Sequence, residues 1–467
     1  MNHNAYQACI DPSCGTTYAV DDVVFACRAC GSLLDVRYDW SRCRAPRSLA
    51  RFENHRRTRH PQNPPRHNDS GVWRFHELLP FADPDDLVTV GEGRTVLQQA
   101  DELAAAVGHD ASRLFLQYEG LNPSGSFKDN GMAAAFSVAR ALNRPNVACA
   151  STGNTSASLA LYAARTHTRT CAPMRATVFI GDDKIAHGKL AQTLDHGAKT
   201  IQIAGDFDAC MTLVQESAAR LNLYLMNSVN PFRLEGQKTI MYRVLEGLAW
   251  HVPDWIIVPG GNLGNTSAFG KAFLELHELG LVDRMPRLAV INATGASALY
   301  ELYHERGIRW NDGQIDKSAV DAYFAEWTAQ GRTASTVASA IEIGRPVNLP
   351  KALRSLDATN GIVRRVCDDA ILDAKALVGR HGLGCEPASA AAVAGLRMLL
   401  DEHTIHRGDR VVCILTGHAL KDATATIQYH TGPPGPTSAP TRRYTNPPVR
   451  VDAHLDAITD ILARRGS

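Results

Sequence analysis

Lys128 sits in GLNPSGSFKDNGM (residues 120–132), after a glycine- and serine-rich turn and at the start of a helical pattern. A lysine on an ordinary loop is most often a solvated charge. A second motif gives this one another use. PGGNLGN (259–265) follows an apolar, strand-like run and opens a helical one. Its glycines let backbone N–H groups converge, and a helix N-terminus adds a favourable dipole for an anion. The loop lacks the lysine of a Walker motif, and its spacing is not G-x-G-x-x-G. It therefore suits a phosphate held by neutral dipoles, as in a phosphorylated cofactor. A phosphate cradle plus an isolated lysine points to pyridoxal phosphate, which bonds covalently to a lysine amine and acts as an electron sink. On this reading Lys128 carries the cofactor and Phe127 packs against it. Asn154, in STGNTSAS (151–158), donates to the ring hydroxyl. Ser151, Thr152, Thr155 and Ser156 offer hydroxyls and N–H groups to a substrate carboxylate.

A separate constellation lies near the start. Cys9, Cys14, Cys27 and Cys30 are spaced C-x4-C-x12-C-x2-C, each pair followed by a glycine (Gly15, Gly31). Two short cysteine pairs flanking a strand-like segment have zinc-ribbon spacing. Four thiolates close a tetrahedral site with no position left for catalysis, so the expected metal is structural zinc. The other seven cysteines, Cys210 among them, show no pairing logic and read as thiols.

The catalytic residues need a scaffold, and the chain alternates short apolar runs with helical patterns. NVACA (146–150), ATVFI (176–180), DWIIVPGG (254–261), RLAVINA (287–293) and RVVCILTG (410–417) read as strands. DNGMAAAFSVARALN, LALYAARTH, KIAHGKLAQTLDHG and TSAFGKAFLELHELG read as helices between them, with STGNTSAS as a loop. Such alternation predicts a parallel sheet covered on both faces, with ligands at the carboxyl ends of the strands. The stretch from Arg42 to Arg66 reads as a linker with a solvated basic face, and residues 431–450 as a proline-rich tether. Beyond the tether, Val451, Leu455, Ile458 and Leu462 fall at helical spacing and predict a docking helix.

Composition bounds the rest. A formal net charge of +1 gives no global field that would recruit nucleic acid or a membrane surface. No apolar run is long enough to span a bilayer, and the first residues have no secretory pattern. A cytoplasmic location, with no nucleic-acid or membrane partner, is the expectation.

NPSGSFKDNGM, ASTGNTSAS and PGGNLGN, in this order, resemble the fold-type II pyridoxal-phosphate enzymes, the tryptophan synthase β-like group. SGVWRFHELLP (70–80), NSVNPFRLEGQKT (227–239), IEIGRPVNLPKAL (341–353), CEPASAAAVAGL (385–396) and LTGHALKD (415–422) narrow the resemblance to threonine synthases, part of which carry an N-terminal zinc-ribbon-like piece. The resemblance covers residues 70–430 and the ribbon. It implies an α/β fold of two open parallel-sheet lobes with the cofactor in the cleft, and a homodimer. The expected organisation is a ribbon-like module (1–40), a basic linker (41–69), the catalytic region (70–430), and a tether with a C-terminal helix (431–467). The implied reaction converts O-phospho-L-homoserine and water to L-threonine and phosphate by γ-elimination and β-addition.

By the same resemblance Lys128 is the cofactor lysine and main acid/base, and Asn154 holds the ring hydroxyl. Gly261, Asn262, Leu263, Gly264 and Asn265 wrap the cofactor phosphate, and Thr416 faces the pyridine nitrogen with a neutral hydroxyl. Ser228, Arg233 and Asn227 recognise the substrate phosphate; an alternative for Arg233 is an ion pair with Glu235. Departures from the family pattern are GEGRTVL (91–97), with Arg94 and Val96, a long segment at 304–340, and the tail after 430. They keep open a paralogue acting on another phosphorylated amino acid, such as O-phosphoserine in a β-replacement.

Overall fold

The computed structural model describes residues 4–53, 66–181, 187–203, 214, 220–432 and 442–463. Cys210, the middle of the basic linker, the start of the helix expected from 184 and most of the proline-rich tether lie outside them.

The N-terminal module is a three-stranded antiparallel sheet of β1 (Ala5–Cys9), β2 (Thr17–Ala19) and β3 (Leu34–Tyr38), ordered β2-β1-β3. Its four expected cysteines place their sulfur atoms within 4.8 Å of one another. Cys9 and Cys30 are 3.4 Å apart, and Cys14 and Cys27 are 3.7 Å apart. A tetrahedral ion with bonds of about 2.3 Å needs sulfurs about 3.8 Å apart, so the donor set fits zinc. We expect purified protein to hold about one zinc per chain, and Cys27→Ser with Cys30→Ser to lose it together with thermal stability. Metal analysis that finds no zinc in the wild-type chain would contradict this.

The remaining strands run β4 (Val96–Gln99), β5 (Leu114–Tyr118), β6 (Asn146–Ala150), β7 (Arg175–Gly181), β8 (Lys199–Ile203), β9 (Tyr224–Leu225), β10 (Trp255–Pro259), β11 (Arg287–Ala293), β12 (Ile362–Val366) and β13 (Val411–Leu415). They form two sheets, β12-β11-β10-β13-β5-β4 and β8-β7-β6-β9. All neighbours are parallel except the edge pair β4–β5. β10 and β13 are buried along their whole length, as strands covered on both faces must be. All five strands read from the sequence are present. β4, β5, β8, β9 and β12 escaped that reading; VLQQ, KTIQI and IVRRV carry polar residues, and YL is too short to show a pattern.

The helices that matter for the site are α1 (Lys128–Ala141), α2 (Asn154–Arg165), α3 (Pro231–Gly247), α4 (Gly264–Glu278), α5 (Lys317–Ala329), α6 (Leu349–Ala358) and α7 (Pro387–Asp401). Two boundaries differ from expectation. Lys128 is itself the first residue of α1, and α2 begins at Asn154, so the second half of STGNTSAS is helix. α3 starts at an Asn230 cap, whose side chain accepts from the Phe232 N–H at 3.1 Å, with Pro231 in the first turn. It packs against α1 so closely that a Cβ on Gly236 would lie 1.9 Å from the Asn130 carbonyl oxygen. Only glycine lets the two backbones meet there, and this contact sets Arg233 beside the helix that begins with Lys128.

The unexpected length at 304–340 folds into the body, where α5 buries Tyr323, Phe324 and Trp327 against Leu302 and Ile308. Part of the expected linker does the same: Leu49 and Phe52 are buried, and Phe52 packs edge-on against Phe75. The expected C-terminal helix is present as α8 (Leu455–Ala463), but Leu455, Ile458 and Leu462 face solvent instead of docking on the described residues. No helix among the described residues is long and apolar enough to cross a membrane.

Candidate active site

The turn that carries Lys128 is tied to the end of β13. The Phe127 N–H donates to the Thr416 carbonyl at 2.9 Å, and the His418 N–H to the Gly125 carbonyl at 2.9 Å. Lys128 and Thr416, 288 positions apart in sequence number, thereby share one corner. Lys128 is half-buried, with Nζ 4.4 Å from the Phe127 ring centroid. Beneath it, Asp129 braces the turn. Its carboxylate accepts from the Ser124 N–H at 2.7 Å and the Ser158 hydroxyl at 2.5 Å. Burial nevertheless pushes that carboxyl up to about 6.

Asn154, at the start of α2, donates through Nδ2 to both carboxylate oxygens of Glu386, at 2.9 and 3.1 Å. Its Oδ1 is buried without a partner, and the second Nδ2–H remains for a ligand. Glu386 precedes α7 and is held by its own N–H on the Gly417 carbonyl at 3.0 Å. A Cβ on Gly417 would sit 2.5 Å from that carboxylate. Ser389 bonds the Thr416 hydroxyl at 3.0 Å and accepts from the Gly417 N–H at 2.9 Å, which fixes the direction of Thr416.

The third wall is the glycine loop. β10 ends at Pro259, and the chain turns through Gly260 and Gly261 into α4. Leu263 takes a left-handed conformation (φ 62°), unusual for a branched residue and a sign of a tightly prescribed turn. A Cβ on Gly261 would approach the Ile341 Cα to 2.9 Å, so no other residue fits. Asn262 donates to the Ser228 hydroxyl at 3.1 Å and accepts from the Val347 N–H at 2.6 Å. The Asn265 side chain is fixed by Gln237 at 3.1 Å, leaving Gly264 and Asn265 at the open end of α4.

Arg233 is the most unusual group here. It is 1% exposed, its Nη1 donates to the Met226 carbonyl at 2.9 Å, and its Nε has no partner. Among the described residues no carboxylate pairs with it. Burial alone pushes it down to about 10. The alternative pairing with Glu235 does not occur, because Glu235 is engaged by Lys238, Lys271 and Tyr38. Asn227 is otherwise occupied: its amide bonds both the N–H (3.1 Å) and the carbonyl (3.0 Å) of Ala150, so it splices the end of β6 to the loop before α3. Arg94 is a surface group, 56% exposed and paired with Asp69 at 3.1 Å.

Of the hydroxyl residues after β6, Ser151 and Thr152 are half-buried at the sheet's carboxyl end. Ser151 accepts from the Gly153 N–H at 3.1 Å, and Ser156 donates back to the Gly153 carbonyl at 2.8 Å, so both shape the turn. Thr155 is half-buried beside them.

These residues fit pyridoxal phosphate. A helix N-terminus with a glycine turn suits its phosphate. The unpartnered Asn154 Oδ1 and the remaining Nδ2–H suit its polar ring substituent, and a half-buried lysine can bond its aldehyde carbon. Residues 88–417 match the family of pyridoxal-phosphate dependent enzymes. The chain is 38% identical to the threonine synthase of Methanocaldococcus jannaschii, over 98% of this chain and 99% of that one. This chain is a member of the threonine synthase family. It is also 36% identical to threonine synthase 2, chloroplastic, of Arabidopsis thaliana, over 97% of this chain and 83% of that one. The threonine synthase of Escherichia coli shares the fold (TM-score 0.61, 17% identity), covering 98% of this chain and 100% of that one.

Three site residues of this threonine synthase family member were missed by the sequence reading: Glu386, Ser389 and Asn348. Glu386 had a readable signal, since a Glu-Pro step opens a helix. A carboxylate there ordinarily serves the helix N-terminus, and only the structure shows it turned toward Asn154. Asn348 is fully buried and reaches the carbonyls of Ser228 and Asn262, at 3.4 and 3.3 Å.

Proposed function

We propose that the chain converts O-phospho-L-homoserine and water to L-threonine and phosphate. The observation that carries this reading is Arg233, a buried guanidinium with no carboxylate partner among the described residues, set in the first turn of α3 and holding the Met226 carbonyl just before Ser228. A buried cation is costly unless an anion completes it. A substrate phosphate is the partner that the family's chemistry supplies, and the guanidinium fork matches two of its oxygens.

In this assignment the cradle at Gly261, Asn262, Leu263, Gly264 and Asn265 holds the cofactor phosphate, and Asn154 and Thr416 orient the ring. Bound pyridoxal phosphate supplies the electron sink that makes carbon acidic next to the amino group. Ser151, Thr152, Thr155 and Ser156 present N–H and hydroxyl donors to the substrate carboxylate. Arg233 and Ser228 hold the substrate phosphate while its bond to Cγ breaks. Lys128 Nζ takes the proton from Cα and then one from Cβ, and returns protons as water adds at Cβ and Cγ becomes a methyl group. Glu386 keeps the Asn154 amide aimed at the ring and adds a negative charge beside it. Asn227 serves as a brace for the loop and not as a phosphate ligand. A cytoplasmic homodimer acting on a small phosphorylated amino acid belongs to the same reading. Turnover of O-phosphohomoserine compared with O-phosphoserine tests it.

A further inference from the structure

The N-terminal module meets the catalytic body through an unusual junction. Asp35, on β3, is 2% exposed and faces two cations of α6. Lys351, also 2% exposed, lies 3.2 Å from one carboxylate oxygen, and Arg354 bonds the other. The Lys351 ammonium donates as well to the Leu34 carbonyl at 2.6 Å. At the far end of β3, Tyr38 bonds Glu235 on α3, and Lys271 of α4 reaches the Val36 carbonyl and the same glutamate. One short strand thus grips the three helices whose N-terminal ends form the phosphate-binding side of the cleft.

The α6 contact leads directly to that side. Lys351 stands in the first turn of α6, and the residues entering this turn are Val347 and Asn348. The Val347 N–H holds the Asn262 side chain at 2.6 Å, and Asn348 holds the Ser228 and Asn262 carbonyls. Asn262 in turn holds the Ser228 hydroxyl at 3.1 Å. Asp35 fixes where α6 begins, and the start of α6 fixes Asn262 and Ser228. In some proteins such buried ion groups specify register and add little stability.

We propose that Asp35 of the N-terminal module is a positioning residue for the two phosphates, acting through Lys351, Arg354 and the start of α6. The inference rests on the assignment of Asn262 to the cofactor phosphate and Ser228 to the substrate phosphate. Lys128, Asn154 and Thr416 stand on other elements, so ring binding is independent of Asp35. Another ion pair of the module, Asp11 with the exposed Lys317 of α5 at 2.6 Å, serves as a control.

The test titrates the full-length chain with pyridoxal phosphate and, separately, with pyridoxal, which lacks the phosphate. The variants are Asp35→Asn, Arg354→Met and Lys317→Ala. Asp35→Asn should lower the affinity ratio of pyridoxal phosphate to pyridoxal by about tenfold and raise KM for the phosphorylated substrate more than it lowers kcat. Arg354→Met, which leaves the Lys351–Asp35 pair intact, should move the ratio in the same direction by a smaller factor. Lys317→Ala should leave it unchanged. If Asp35→Asn does not fold, Arg354→Met decides. An unchanged ratio in the folded variants, with only a lower melting temperature, overturns the proposal. A wrong substrate assignment would appear instead in the wild type, as absent turnover with the cofactor ratio still sensitive to Asp35.

Discussion

Lys128→Ala is expected to abolish turnover and the covalent-cofactor absorbance at ~410–420 nm together. The turn that presents this lysine is bound to β13 through Thr416 and His418, and Asp129 braces it through Ser124 and Ser158. These bonds belong to the backbone and to neighbouring side chains, so the variant should fold with its cleft intact. Pyridoxal phosphate should still bind the Gly261–Asn265 cradle without a covalent bond, because a helix N-terminus recognises the phosphate independently of the lysine. Retention of both the absorbance and turnover in the variant would mean that another lysine carries the cofactor.

Arg233→Ala should separate the two phosphates. The absorbance should survive, because the cofactor phosphate is assigned to the loop that opens α4 and not to Arg233. Productive binding of O-phosphohomoserine should fail. Charge-assisted bonds to a desolvated anion contribute about 1.5–3 kcal/mol each, so kcat/KM should fall by about one to two decades or more. Amino acids without a phosphate should bind nearly as before. Steady-state kinetics beside cofactor titration reads both effects. Loss of cofactor with no selective loss of the phosphorylated substrate would assign Arg233 to the scaffold. Its environment argues otherwise: the nearby carboxylate, Glu235, is consumed by Lys238, Lys271 and Tyr38.

The residues most legible in the sequence were those whose type is rare in its place. A lysine after a Ser/Gly turn, glycines between strand and helix, and four cysteines at ribbon spacing each announce a use. The lysine turn and the glycine loop also come to one side, since the parallel neighbours β10 and β13 deliver their carboxyl ends there. Asn227 shows the limit of residue type. An asparagine beside a serine suits a phosphate, yet its amide closes on the Ala150 backbone. Glu386 and Asp35 show the limit of distance. Glu386 meets Asn154 across 232 positions, and Asp35 meets Arg354 across 319. No local pattern encodes such pairings; the packing of separate elements creates them. The strands β8 and β12 were hidden for a related reason: each is the edge strand of its sheet, and its polar residues reflect partial exposure there.

The proposed reaction is tested most directly by giving the purified wild-type chain O-phospho-L-homoserine or O-phospho-L-serine and quantifying amino-acid products alongside released phosphate. Arg233 and Ser228 are assigned to a phosphate on Cγ, and Lys128 to proton transfer at Cα and Cβ. The predicted result is stoichiometric L-threonine and phosphate from O-phosphohomoserine, with kcat/KM well above that for O-phosphoserine. Faster turnover of O-phosphoserine, or phosphate release from O-phosphohomoserine without threonine, would contradict it.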